Sequence, residues 1–183
     1  KEGGKMIRYA DDFVILTKSQ SEAERMLECV KKWTAENELT LHPDKTHMGD
    51  CSQEGQGFDF LGYRFENKKR WIRKKSIQKF RDKVREKTKR TCGKSIKEVI
   101  KSLNLTLRGW YEYFKHVTKW GLNTFDSFIR RRLRSILRKQ NKKSGTGRNR
   151  KDHENWPNAF FAKLGLFGLE TQRRLEIVAR RSR

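Results

Sequence analysis

A run of thirteen residues near the N-terminus, KMIRYADDFVILT, constrains the fold more than any other part of the chain. Two apolar stretches rich in β-branched and aromatic residues flank a pair of adjacent aspartates, Asp11 and Asp12. Strand-forming residues on both sides of a short polar centre predict a β-hairpin with the two acids at its tip.

The two aspartates also indicate a cation site. Adjacent carboxylates repel each other, so their proximity is unfavourable unless cations gather there. Mg²⁺ suits such a site because it takes one or two protein carboxylates alongside substrate phosphates. An ordinary acidic turn is the alternative, since aspartate is a common turn residue.

Charge is distributed unevenly along the chain, which has a formal net charge of +23. Residues 1–65 contain 9 Lys and Arg against 12 Asp and Glu, whereas residues 66–183 contain 36 against 10. An excess of this size predicts a polyanionic partner, and nucleic acid is the commonest one. A solubilising surface would mix both signs more evenly.

Cysteine and hydropathy patterns exclude several classes of protein. Cys29, Cys51 and Cys92 form no CxxC pair, which argues against a disulfide framework or a zinc module and for a reducing compartment. The four histidines are dispersed, and no apolar run approaches the roughly 20 residues of a membrane span. We therefore expect no membrane association.

Four helices are predicted from apolar spacing and capping patterns. They cover residues 19 to about 37, residues 76–93, and two stretches that begin after Ser95 and after Gly121. Each has one apolar face, so the last three predict an antiparallel bundle. Together with the hairpin, these helices give an expected fold class of α+β.

A strongly basic segment, NKKRWIRKK, occupies residues 67–75, where cations surround one tryptophan. This composition suits phosphate neutralisation combined with stacking on an aromatic ring. A merely solvated charge run is the alternative. The candidate nucleic-acid contacts here are Lys69, Arg70, Trp71, Arg73 and Lys74.

Four sequence blocks resemble known motifs. Residues 9–12, YADD, resemble the box of that name in the palm of reverse transcriptases. LTLHPDKT resembles the LxLxPxKT block of group II intron-type reverse transcriptases, and FDFLGYRF resembles their block at the junction of palm and thumb. LNLTLRGWYEYFKHV and the following RRRLR helix resemble the maturase-specific, or thumb, domain of group II intron-encoded proteins.

The resemblance implies a role for several residues. Asp11 would be a metal ligand, Asp12 its neighbour at the metal site, and Tyr9 and Ala10 would lie beside the primer end and the incoming nucleotide. Lys45 could protonate the leaving pyrophosphate, or it is simply an exposed lysine at a turn. Phosphate contacts in the thumb would come from Arg108, Arg130, Arg131, Arg132 and Arg134.

The resemblance also implies how the chain is organised. Part of a polymerase palm, built from antiparallel strands and a packed helix, would be followed by an α-helical thumb bundle. The expected segments are 1–66 for the palm, 67–140 for the thumb, 141–155 for a flexible basic linker and 156–183 for a C-terminal segment.

The implied activity is RNA-directed DNA synthesis with Mg²⁺, an RNA template, a DNA primer and dNTPs, in a protein that also binds intron RNA in the bacterial cytoplasm. The family's remaining metal-binding aspartate lies on an earlier palm strand, so residues 1–183 alone are expected to be inactive. An intron RNA-binding maturase without polymerase activity is the alternative. The intron concerned and the oligomeric state stay open.

Overall fold

The structure, a computed structural model, describes residues 4–118 and 121–182. The chain divides into two compact units, Lys1–Trp71 and Ile72–Arg183, which we call the first and second units. Helices and strands both contribute, in agreement with the expected α+β class. Among the described residues, no helix is both long and apolar enough to cross a membrane.

The first unit opens with the predicted hairpin. Strand β1 (Lys5–Tyr9) pairs antiparallel with β2 (Asp12–Leu16), in a register that places Tyr9 opposite Asp12. A two-residue loop, Ala10 and Asp11, joins them, and Ala10 has a φ of +53°. A positive φ in a two-residue loop matches the right-handed twist of the strands. The prediction of a hairpin with acids at its tip is confirmed.

Helix α1 (Gln20–Glu36) begins and ends where the sequence predicts. The Ser19 side chain accepts a hydrogen bond from the Glu22 backbone N–H, which satisfies one free donor at the helix start. Its C-cap is Asn37. A Cβ atom placed on Gly4 would lie 3.0 Å from Ile15 and 3.5 Å from Met26, so α1 packs close to one face of the hairpin.

A three-stranded sheet follows, in the order β3 (Phe58–Phe60), β4 (Tyr63–Glu66) and β5 (Lys69–Ile72). Each connection is a two-residue loop in which both residues have positive φ, namely Leu61 with Gly62 and Asn67 with Lys68. Such loops form tight hairpins. The sequence pattern at residues 58–65 indicated a strand, and the structure folds that segment into a hairpin.

The second unit is built on three helices, α2 (Lys74–Lys87), α3 (Ile96–Phe114) and α4 (Leu122–Gln140). Ser95 and Glu98 form the predicted capping box at the start of α3. One apolar core joins the helices, and its fully buried members include Val84, Leu103, Leu107 and Leu133. The Trp110 ring stacks on Phe80 at 4.2 Å and thus belongs to the core.

Residues 141–155, predicted as a flexible basic linker, are mostly exposed, but two of them, Gly147 and Asp152, are buried beside α4. Gly147 is buried, with a φ of +75°, and leaves no room for a side chain beside Arg134 and Ser135. Helix α5 (Arg150–Asn155) carries Asp152, which is 2% exposed and lies 2.6 Å from the Arg138 guanidinium. This buried ion pair ties α5 to α4.

The C-terminal residues belong to the same core. Helix α6 (Asn158–Lys163) buries Phe161, and α7 (Leu169–Arg181) buries Leu169 at its first residue. The Asp126 carboxylate accepts hydrogen bonds from the Leu169 and Glu170 backbone N–H groups, which caps α7 from α4. The structure therefore places residues 67–71 with the first unit and packs residues 141–182 into the second.

Candidate active site and nucleic-acid interface

The hairpin loop holds the two candidate metal ligands next to each other. Asp11 lies in the loop, and Asp12 is the first residue of β2. The Arg8 Nε atom donates a hydrogen bond to the Ala10 carbonyl oxygen at 2.7 Å, which fixes the loop backbone beside the acids. Tyr9 is 65% exposed, and Ala10 is exposed as well, so the whole tip is open to solvent.

Within residues 4–118 and 121–182, neither aspartate side chain takes part in a hydrogen bond or an ion pair. Their negative charge is therefore left for an external cation. The donors fit Mg²⁺, which prefers hard oxygen ligands and keeps several waters. The same described residues contain no group of three or more potential metal ligands, so this loop would supply two carboxylates to a larger coordination shell.

Lys45 lies at an exposed turn. The backbone N–H groups of Lys45 and Thr46 both donate to the His42 carbonyl oxygen, which closes the turn just after Pro43. Among the described residues, no hydrogen bond or ion pair joins Lys45 to either aspartate of the hairpin loop. Its role at the pyrophosphate remains a prediction.

The basic segment at residues 67–75 is divided between a strand and a helix. Lys69, Arg70 and Trp71 lie on β5, Arg73 is the N-cap of α2 and Lys74 its first residue. Because successive strand side chains alternate between faces, Lys69 and Trp71 lie on one face of β5 and Arg70 on the other. Trp71 is half-buried, whereas the four cationic residues are exposed. The structure therefore leaves the four cations exposed, and their contact with nucleic acid stays a prediction.

Three of the five predicted thumb arginines are exposed or half-buried and, within the described residues, make no hydrogen bond to another helix. Arg108 is exposed, with its guanidinium carbon 4.9 Å from the centre of the Phe167 ring. Arg130 and Arg131 are half-buried on α4, and Arg131 lies 5.6 Å from the Phe128 ring. These three can present charge to a phosphate while their stems stay packed.

Arg134 has a structural position, which corrects the prediction of a phosphate contact. It is 2% exposed, its Nε donates to the Trp156 carbonyl oxygen at 2.9 Å, and its Nη2 donates to Asn158 Oδ1 at 3.0 Å. Burial, followed by the nearby charge of Arg130, lowers the pKa of Arg134. The sequence could not distinguish it from its neighbours because the RRRLR run conceals which side faces the core.

Arg132 is also largely engaged within the chain. Its Nε donates to the Thr88 hydroxyl at 3.0 Å, and its Nη2 donates to the Thr88 carbonyl oxygen at 2.8 Å. These bonds tie α4 to the C-terminal end of α2. Burial, then the charges of Arg131 and Arg85, lowers the pKa of Arg132.

Sequence reasoning missed one basic cleft. Arg90, in the connection between α2 and α3, lines it together with lysines at the C-terminal end of α4. The lysines carried a weak signal, since cations are common at helix C-termini. No pattern in the sequence indicated that these lysines lie near Arg90, because the two segments are far apart in sequence.

Two family matches cover most of the chain. Residues 1–65 match the family described as reverse transcriptase (RNA-dependent DNA polymerase). Residues 77–156 match the group II intron, maturase-specific domain. No curated protein matches the chain. The order of the two matches agrees with the sequence blocks, and both families imply a nucleic-acid partner.

Proposed function

We propose that this chain, which belongs to the group II intron-encoded reverse transcriptase/maturase family, is part of an RNA-directed DNA polymerase. The first unit would be palm and would supply metal ligands, and the second unit would be thumb and would hold RNA. The observation that carries this proposal is the exposed, unneutralised pair of Asp11 and Asp12 at the tip of a hairpin within the reverse transcriptase match.

In the proposed reaction, a primer 3′-hydroxyl attacks the α-phosphorus of a dNTP, and pyrophosphate leaves. Asp11 and Asp12 would hold Mg²⁺, which supplies the positive charge that activates the hydroxyl and balances the leaving group. The short loop sets the backbone positions of the two aspartates next to each other. Tyr9 and Ala10, directly before them, would contact the primer end and the nucleotide.

Lys45 would donate a proton to the departing pyrophosphate. Its exposed position at a closed turn leaves the ammonium group available for this contact. A general acid at this point lowers the negative charge on the leaving group.

The proposed polymerase site needs one more metal-ligating carboxylate than this hairpin provides. The two aspartates stand without a third metal-ligating side chain among the described residues. We therefore propose that residues 1–183 alone do not extend a primer and that a further aspartate, on a palm strand outside these residues, completes the site.

The test uses the polypeptide that includes that upstream palm strand, a DNA primer annealed to an RNA template, Mg²⁺ and dNTPs. Asp11→Asn or Asp12→Asn should reduce extension by about 100-fold or more, because each removes a charged metal ligand. Glu36→Gln, at an exposed glutamate of α1, is the control and should retain activity. Full extension by the Asp11 variant, or extension by residues 1–183 alone, would contradict the proposal.

A second function, assistance of intron splicing by RNA binding, is favoured by the maturase-specific match over residues 77–156. The second unit would bind intron RNA whether or not polymerisation occurs. Splicing assistance should then survive Asp11→Ala and Asp12→Ala. A loss of splicing with unchanged RNA affinity in these variants would link the two activities instead.

RNA binding itself should depend steeply on salt. Each phosphate contact releases counterions, so the logarithm of the association constant should fall with the logarithm of salt concentration by roughly 0.7–0.9 per contact. A slope near zero would remove the basic second unit from the binding surface.

A further inference from the structure

A basic cleft of about 530 Å³ lies in the second unit, where two distant segments meet. One segment is the connection between α2 and α3, and the other is the C-terminal end of α4 with the residues just after it. The lining residues are Arg90, Thr91, Lys139, Lys142, Lys143 and Ser144.

One hydrogen bond joins the two walls of the cleft. Gln140 Nε2 donates to the Lys94 carbonyl oxygen at 2.9 Å, across the two segments. At the end of α4, the Lys142 N–H donates to the Lys139 carbonyl oxygen, and the next backbone N–H donates to the Arg138 carbonyl oxygen. The cations are therefore presented on a positioned backbone.

The cleft concentrates positive charge that the described part of the chain does not neutralise. Arg90, Lys139, Lys142 and Lys143 form no side-chain hydrogen bond or ion pair with another described residue. Arg90 Nε is buried without a hydrogen-bond partner in that same part of the chain. Clustered like charges are unfavourable unless an anion joins them.

The lining chemistry defines that anion. Four cationic groups and the Thr91 and Ser144 hydroxyls are all able to donate hydrogen bonds, and the lining includes no carboxylate. Phosphate oxygens accept such bonds strongly. The cleft is open to solvent, since five of its six lining residues are exposed, so a phosphate within a nucleotide chain can reach these donors.

We propose that this cleft binds a backbone phosphate of RNA. The proposal rests on the proposed RNA binding by the second unit and assigns part of it to a specific site. The site would fix one point of the RNA on the C-terminal end of α4, apart from the arginine candidates Arg108, Arg130 and Arg131.

The experiment compares two double variants of the 183-residue chain, each lacking two positive charges. Lys139→Ala/Lys143→Ala removes two exposed cleft lysines, and Lys151→Ala/Lys163→Ala removes two exposed lysines elsewhere in the second unit. Binding to a fluorescein-labelled RNA hairpin is measured by anisotropy at several salt concentrations. Inorganic phosphate binding is measured separately by ³¹P NMR.

The cleft variant should bind the hairpin about 5–10-fold more weakly than wild type, with the salt slope reduced by about 1, because a phosphate contact is lost. The control should change affinity less than about 2-fold. Arg90→Ala, checked by circular dichroism for an intact fold, should weaken binding in the same direction. Equal losses in both double variants would overturn the proposal, since only total charge would then matter.

Three further outcomes would also overturn it. Lysine-dependent binding of inorganic phosphate, with unchanged RNA affinity in the cleft variant, would make this a site for a free anion. If RNA binding by the wild-type chain depended steeply on salt, but the cleft substitutions changed the affinity for neither RNA nor phosphate, the cleft proposal alone would be wrong. Failure of the wild-type chain to bind RNA would defeat the proposed RNA binding as well.

Discussion

The two units differ most clearly in how far their apolar side chains are buried. Every buried hydrophobic residue among the described residues lies in the second unit, where Leu103, Leu107 and Leu133 are completely inaccessible. In the first unit, Met6 is 54% exposed and Trp33 57% exposed. The second unit has a core of its own, whereas the first displays the residues from which a core would be made.

The buried apolar core and the candidate metal ligands thus lie in different units. Large exposed apolar patches mark surfaces that other protein segments cover. The unit with the candidate metal ligands buries few apolar side chains among the described residues, so its own packing contributes less to its stability. The unit with the basic surface is stabilised by its own packing and can present charge without such help.

The largest expected effect compares leucines of the two units. Leu133→Ala removes a fully buried side chain from the bundle and should lower the free energy of unfolding by about 2–5 kcal/mol. Leu16→Ala, at a position 39% exposed on β2, should cost about 1 kcal/mol or less. Urea denaturation, followed by hydrogen exchange of each unit, measures both. Equal losses of unfolding free energy in the two variants would contradict the difference in apolar burial between the units.

A second comparison concerns arginines of the second unit. Arg134→Ala leaves the Trp156 carbonyl and Asn158 amide oxygens without their donors and should destabilise by about 2–3 kcal/mol. Arg108→Ala, at an exposed position, should cost less than about 1 kcal/mol. Thermal unfolding measures these effects.

RNA affinity should show the reverse order at a temperature where both variants are folded. Arg108→Ala should weaken binding and reduce the salt slope, because an exposed cation is lost, whereas Arg134→Ala should leave the slope unchanged. A reduced slope for Arg134→Ala would restore Arg134 as a phosphate contact.

Local signals in the sequence were sufficient for much of the fold. Alternation around Asp11 and Asp12 predicted the hairpin, and Ser95 with Glu98 predicted the start of α3, because both depend on residues close in sequence. The candidate metal ligands, which lie next to each other at the hairpin loop, could likewise be predicted from a sequence motif.

Long-range packing was what the sequence could not reveal. The buried ion pair of Arg138 and Asp152 ties α5 to α4, and it joins charges fourteen residues apart. The basic cleft at Arg90 depends on a still longer separation. Burial of Arg134 beneath Trp156 depends on where residues 156–182 pack, which no local pattern specifies.

Glycine substitutions offer a smaller test of the same contrast. In Gly147→Ala the new Cβ would lie 2.9 Å from the Ser135 backbone N and 3.0 Å from the Arg131 carbonyl oxygen, at a φ of +75°. The expected cost is about 2 kcal/mol, from backbone strain and overlap together. Gly55→Ala, at a φ of +87° with no atom within 4 Å, should cost about 1 kcal/mol from strain alone. Chemical denaturation distinguishes the two, and a larger cost at Gly55 than at Gly147 would contradict the open surroundings of Gly55.

The smallest expected effect is a difference in the pH dependence of two aspartates. Burial raises the pKa of Asp126, although hydrogen bonds from the Glu170 and Leu169 N–H groups oppose the shift. Hydrogen bonds from the Ser52 side chain and backbone lower the pKa of the exposed Asp50. Carboxyl NMR titration should therefore place the Asp126 pKa above the ordinary aspartate value of 3.8 and the Asp50 pKa below it.

For Asp126 the folded state keeps its proton at pH values where the unfolded state has lost it. Its contribution to stability is thus fully present below the unfolded pKa and is lost as pH rises through the raised folded pKa, with a slope of at most about 1.4 kcal/mol per pH unit. Asp126→Asn should lower stability overall by weakening the cap of α7, yet it should remove this component of the slope. Urea denaturation of wild type and variant across the acidic range tests the sign of this slope. If stability increased with pH through the Asp126 titration, the two backbone hydrogen bonds would outweigh burial. The pKa of Asp126 would then be lowered, as that of Asp50 in the first unit is.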